Sequence, residues 1–129
     1  MSAGEPEADR KTRILLAEDD ESMRAFLTRA IERAGYAVTS VDRGTAALPH
    51  LEEGGFDLLL TDIVMPEMDG IELARRAGEM QPGMRVIFIT GFAAVALSKD
   101  SGAPQGAKVL SKPFHLRELT NEIERVLAA

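Results

Sequence analysis

The side chains best suited to polar chemistry in this 129-residue chain stand at the ends of short apolar runs. Glu18-Asp19-Asp20 follow Ile14–Ala17, Asp62 follows Leu58–Thr61, Thr90 follows Val86–Ile89, and Lys112 stands just past Ala107–Leu110. Carboxylates brought into one pocket repel one another and require a cation. An all-oxygen donor set suits Mg2+, which takes one or two carboxylates and fills its shell with waters and phosphate oxygens. A carboxylate nucleophile, a divalent metal, a lysine and a hydroxyl donor together make a phosphoryl-transfer site. Taken singly, each has a plainer reading: a solvated helix start, a strand end or a loop. Their shared placement after apolar runs is what favours chemistry.

For these residues to meet, the runs have to be neighbouring parallel strands. Ile14–Ala17, Leu58–Thr61 and Val86–Ile89 are short continuous apolar stretches, as expected for strands covered on both faces. Ala37–Val41 is less apolar and belongs nearer an edge; Ala107–Leu110 makes a fifth strand. Between them, Met23, Phe26, Leu27, Ala30, Ile31 and Ala34 recur at helical spacing, with Gly35 as the stop. Helices are also expected over 45–53, 70–80 and 93–97, and a last amphipathic one carries Leu116, Leu119, Ile123, Val126 and Leu127. Pro49 falls inside the second helix, which predicts that this helix is short, kinked or restarted there. The β-α alternation implies an α/β fold, a parallel sheet with helices on both faces, doubly wound through right-handed crossovers. Polar residues at the carboxyl ends of its strands then share one binding edge.

Composition narrows the function further. With no cysteine, disulfides and thiolate chemistry are excluded, and two histidines, His50 and His115, argue against a histidine-rich metal site. The net charge of −6 and pI near 4.9 do not attract nucleic acid or an anionic membrane, so proteins are the expected partners. No apolar run is long enough to span a bilayer, residues 1–12 read as a flexible extension rather than a secretory signal, and the expected location is cytoplasmic. Residues 13–129 are expected to form the single domain.

The stretches ILLAEDD, LLLTDIVMPEMDG, VIFITG and VLSKPF resemble the four signature segments of a two-component response-regulator receiver domain, over residues 13–129. The resemblance implies a flavodoxin-like sheet with strand order 2-1-3-4-5. It implies that Asp62 is the phospho-acceptor, attacking a phosphohistidine on a partner protein. It assigns Mg2+ to Asp19 and Asp62 directly, to Glu18 through water, and to the backbone carbonyl of Val64. Thr90 and Lys112 would contact the phosphoryl oxygens, and the Lys112–Pro113 bond would be cis. Asp20 is read as a helix cap, and Asp69-Gly70 as a turn.

Three positions depart from the family pattern. Val109 stands where many receivers carry a switching Tyr or Phe. Val64 and Phe92, two residues past Asp62 and Thr90, are apolar where polar groups orient the water that hydrolyses the acyl phosphate. Slow self-dephosphorylation is therefore expected. The fourth helix is expected to be short and bordered by Gly and Pro, so the usual output face, built from helix 4, strand 5 and helix 5, is expected to be partly mobile. Met65 and Met68 are read as core filler that could gate the approach to Asp62.

The longer runs EDDESMRAFLTRA, DIVMPEMDGIELAR, ITGFAAVAL and VLSKPFHLREL are similar to single-domain receivers that act as phosphorylation-controlled adaptors for the ClpXP protease. Such members are loaded by a histidine phosphotransferase that a hybrid histidine kinase feeds. They engage ClpX and its substrates when unphosphorylated. The closing Leu127-Ala128-Ala129 also resembles a tag read by that protease. The alternative is a chemotaxis-type receiver or phosphate shuttle that binds another target when phosphorylated. A haloacid-dehalogenase-like phosphatase wants a second Asp two residues past the nucleophile, where this chain has Val64. In each of the favoured readings the chain is a phospho-accepting switch rather than an enzyme acting on other substrates.

Overall fold

The structure is a computed structural model that describes residues 11–91, 102–104 and 106–128. Five strands, β1 (Arg13–Ala17), β2 (Ala37–Val41), β3 (Leu58–Asp62), β4 (Arg85–Thr90) and β5 (Lys108–Ser111), form one sheet in the order β2-β1-β3-β4-β5. Every pairing is parallel. Four described helices, α1 (Glu21–Arg33), α2 (Gly44–Glu53), α3 (Gly70–Met80) and α4 (Leu116–Ala128), cover the sheet. This is the doubly wound α/β fold that the β-α alternation leads one to expect, with the strand order that the family resemblance implies. β5 begins one residue later than its apolar pattern suggests. The helix expected over 93–97, together with Phe92, most of the N-terminal extension and Ala129, lies outside the described residues.

The pleat divides the core into two layers. Leu15, Ala17, Leu59 and Phe88 point to one face and pack with Ala47 and Leu51 of α2 and Leu73, Ala74 and Ala77 of α3. Ile14, Leu16, Leu58, Leu60, Ile87 and Ile89 point to the other, against Leu27 and Ile31 of α1 and Leu119, Ile123 and Val126 of α4. Strands buried on both faces need no polar alternation, which is why their sequences read as unbroken apolar runs.

The helix ends follow local chemistry. The Asp20 carboxylate accepts from the Met23 amide at 2.8 Å and caps α1. Gly35, at φ 103°, closes that helix: its own amide reaches Glu32 at 3.0 Å and the Tyr36 amide reaches Ile31 at 3.3 Å. At α4, the Glu118 carboxylate accepts from the His115 amide at 2.9 Å, half of a capping box. α2 has ten residues and runs unbroken through Pro49. The helix is short as expected, but it does not restart. Pro49 lies on the exposed side, while Ala47 and Leu51 are fully buried beneath it, so packing on the sheet outweighs the lost backbone bond. Among the described residues, no helix is long and apolar enough to cross a membrane.

Candidate functional site

Strand register brings the polar residues together. Ala17 pairs with Thr61, so the residues that follow, Glu18 and Asp62, leave adjacent strands at the same level. Asp62 pairs with Ile89, which sets Thr90 one step beyond on β4, and Thr90 pairs with Ser111, which sets Lys112 one step beyond on β5. The Lys112 amide donates to the Thr90 carbonyl at 2.8 Å and continues that pairing past the strand. The Lys112–Pro113 peptide is cis, as expected.

Carboxylate oxygens of Glu18, Asp19 and Asp62 lie within 4.8 Å of one another. Glu18 is fully buried, Asp62 nearly so, and Asp19 is exposed at the mouth. Lys112 Nζ donates to Asp62 Oδ2 at 2.8 Å and to Glu18 Oε1 at 3.5 Å. Three carboxylates thus face one ammonium in a partly dry pocket, a balance that leaves room for a divalent cation. Hard oxygen donors at this spacing fit Mg2+. Thr90 is fully buried on the neighbouring strand. Val64 is 57% exposed beside the pocket, and its amide donates to Asp62 Oδ1 at 3.2 Å.

The electrostatics reflect this crowding. Burial, joined by the charges of Asp62 and Asp19, pushes the Glu18 carboxyl up to about 7, against the Asp20 amide and the Lys112 charge that favour the ionised form. The Asp20 amide bonds Glu18 Oε2 at 3.1 Å. Burial disfavours the Lys112 ammonium, but the hydrogen bond to Asp62 and the two neighbouring carboxylate charges more than offset it, so its pKa is raised.

Three residues that positional reading of the sequence left out stand around this pocket and its neighbouring loop. Arg24, one turn into α1, donates Nη1 to the Glu18 carbonyl at 2.9 Å, while the Glu18 amide bonds the Val41 carbonyl at 3.1 Å. Gly70 is more than a turn residue: a Cβ there would collide with the Asp62 carbonyl oxygen. Only glycine lets α3 begin directly against Asp62, with Asp69 capping it through the Glu72 amide at 2.8 Å. Glu67 has φ 72° and reaches across to α2. The MDG triplet is the sequence signal for Gly70; nothing short of the fold signals Arg24 or Glu67. Met65 and Met68 do not gate Asp62. Both are buried in the layer under α2 and α3, so the exposed apolar neighbour at the mouth is Val64. Phe26, expected on the inner face of α1, is 54% exposed, and it borders a surface cavity with Asp20, Ser22, Met23 and Lys112. His50 stands edge-on to Phe56 and His115 caps α4, so neither belongs to the pocket.

The response regulator receiver domain model matches residues 14–124. The chain belongs to that family. The receiver is 68% identical over 117 residues to the response regulator receiver protein CpdR of Brucella abortus, covering 91% of this chain and 98% of that one. It is 35% identical over 116 residues to the sensor kinase CckA of the same organism, covering 88% of this chain and only 12% of the kinase. Among solved structures it superposes on the response regulator TrrA of Thermotoga maritima, crystallised with Mg2+ and BeF, with a TM-score of 0.79 and 26% identity. That alignment covers 89% of this receiver and 98% of TrrA.

Proposed function

We propose that this receiver is a stand-alone switch phosphorylated on Asp62 within a phosphorelay, and that it works as a CpdR-like adaptor for the ClpXP protease. The observation that carries the phosphorylation reading is the Asp62 carboxylate, held 2.8 Å from Lys112 beside two further carboxylates. An Asp62 oxygen attacks the phosphorus of a phosphohistidine; the P–N bond breaks and the histidine nitrogen keeps the electron pair. Lys112 holds the acceptor oxygen in place and then balances charge on the new acyl phosphate. The Thr90 hydroxyl donates to a phosphoryl oxygen once the group is attached. Glu18, Asp19, Asp62 and the Val64 carbonyl would hold Mg2+. When bound, that ion neutralises charge on the transferring phosphoryl group. Asp20 and Arg24 keep the Glu18-Asp19 turn in position.

The 68% identity with CpdR over nearly the whole of both chains supports the adaptor reading. In it, a ChpT-like histidine phosphotransferase fed by a CckA-like hybrid kinase loads Asp62. The unphosphorylated form engages ClpX and its substrates, and phosphorylation turns that off. The receiver is then a signalling switch and not an enzyme, cytoplasmic and, by its resemblance to CpdR, placed at a cell pole. The extension is residues 1–12 and the working domain 13–129.

A pull-down with wild-type and Asp62→Ala protein tests the adaptor. ClpX is expected to be retained best by the unphosphorylatable variant. Retention only of the phosphorylated form would replace the adaptor with a chemotaxis-type receiver. The exposed, apolar Val64 offers no side-chain hydrogen bond to a hydrolytic water, so the phosphoryl group is expected to last minutes or longer. A half-life of seconds, measured by release of labelled phosphate, would show that another group activates that water.

A further inference from the structure

The loop from Ile63 to Asp69 carries Val64, whose backbone borders the Asp62 carboxylate. Its C-terminal end is pinned: the Gly70 amide donates to the Ile63 carbonyl at 2.8 Å, and Gly70 lies against the Asp62 carbonyl. Its middle bends the wrong way for ordinary residues. The Met68 amide donates to the Pro66 carbonyl at 2.8 Å around Glu67, whose φ is 72°. That is a γ-turn of the rare, strained kind, built on a residue other than glycine.

A strained turn persists when its surroundings hold it, and here the start of α2 does so. Thr45 Oγ1 donates to Glu67 Oε1 at 2.9 Å. Arg43 Nη1 stands 3.8 Å from Glu67 Oε2, although this guanidinium is shared with Asp42 at 3.1 Å. Gly44, between them, allows close approach: a Cβ there would sit 3.2 Å from the Met68 carbonyl oxygen and Cβ. Glycine at 67 would satisfy the backbone at no steric cost. A glutamate there makes sense only if its carboxylate has a task, and its described partners, Arg43 and Thr45, flank the first residue of α2.

We propose that Glu67 is a positioning residue for the phospho-acceptor pocket: its tie to Thr45, supported by Arg43, fixes the loop that aims the Val64 backbone at Asp62. The tie makes the start of α2 part of the site without touching phosphate or metal. It rests on the Mg2+-dependent reading of the pocket.

The test compares wild-type protein with Glu67→Gly, Glu67→Gln and Thr45→Val. Mg2+ binding is measured by calorimetry with magnesium chloride, stability by thermal unfolding, and loop order by amide hydrogen exchange without metal. Glu67→Gly removes the strain and the tie together, so its Tm is expected to equal or exceed the wild-type value. Its Mg2+ affinity is nevertheless expected to fall about tenfold, the low end of what groups orienting a metal's ligands contribute. Thr45→Val keeps the turn and is expected to lose affinity in the same direction, with faster exchange at Val64 and Met68. Glu67→Gln keeps an acceptor for Thr45 and is expected to stay near wild type. Mg2+ affinity within twofold of wild type in Glu67→Gly, or a loss there with none in Thr45→Val, overturns the proposal. Wild-type protein that binds no Mg2+ overturns both this tie and the metal-dependent reading, whereas wild-type binding with indifferent variants removes the tie alone.

Discussion

The two ends of the sheet handle charge in opposite ways. At the amino end, Arg13 lies over the Phe56 ring at 4.4 Å and donates Nη1 to the Gly54 carbonyl at 3.3 Å. The Arg13 amide bonds Asp57 Oδ2 at 2.9 Å, and the Asp57 amide returns a bond to the Arg13 carbonyl at 2.8 Å. The Arg13 guanidinium and the Asp57 carboxylate are each held by neutral groups, a ring and a carbonyl for the one and a backbone amide for the other. At the carboxyl end, Glu18, Asp19 and Asp62 crowd together, Lys112 is the one cation paired with Glu18 and Asp62 among the described residues, and Glu18 is pushed up to about 7. One end is arranged for stability; the other keeps like charges close and incompletely neutralised. An imbalance of that kind is what the proposed binding of a cation and a phosphoryl group would relieve.

The largest way to break this contrast is Asp62→Ala. Transfer from a phosphohistidine donor is expected to fall by about a thousandfold or more, read from labelled phosphate on the protein. Labelling at the wild-type rate would place the acceptor elsewhere. Lys112→Met is expected next in size. Removing the one ammonium leaves Asp62 and Glu18 facing each other in a partly dry pocket, at a cost of about 2 kcal/mol at neutral pH in urea unfolding. An unchanged midpoint would mean that solvent already screens the carboxylates.

Glu18→Gln sharpens the same point through pH. A carboxyl whose folded pKa is raised binds more protons in the native chain than in the unfolded one between about 4.5 and 7. The contribution of Glu18 is therefore present at low pH and is lost as pH rises through that window. Metal-free Glu18→Gln is expected to match wild type near pH 4.5 and to exceed it by about 2 kcal/mol at pH 8. A constant difference across the window would assign the cost of Glu18 to packing. The smallest effect is expected at the quiet end: Arg13→Ala loses about 0.5–1 kcal/mol from the cation–ring contact and leaves phosphorylation unchanged. Impaired phosphorylation there would show that the two ends of the sheet are coupled.

Much of the site was legible in local pattern. Apolar runs four or five residues long, too short for helices and separated by helical periods, read as buried strands, and residues just past such runs fall on one edge of a parallel sheet. Glu18, Asp19, Asp62, Thr90 and Lys112 were visible for that reason, and Asp20 and Gly35 announced their capping roles by type alone. The reading failed where two distant segments share a contact. Phe26 has the right helical spacing for the core but faces solvent, because the stripe on α1 is narrower than its apolar residues suggest. Pro49 breaks a local rule that the packing of Ala47 and Leu51 overrides. Met65 and Met68 follow Asp62 closely in sequence, yet the turn at Glu67 directs them inward.

By itself, then, the order of residues determined the α/β alternation, the strand ends and the chemical types offered there, because hydrophobic period and capping act within a few residues of one another. Tertiary structure decided the rest. Strand register set Glu18 level with Asp62 and Lys112 within 2.8 Å of it, and burial raised the Glu18 carboxyl. Close packing required glycine at position 70, and the start of α2 came to hold a loop twenty residues further on. Those are distances between segments far apart in the chain, and no local pattern encodes them.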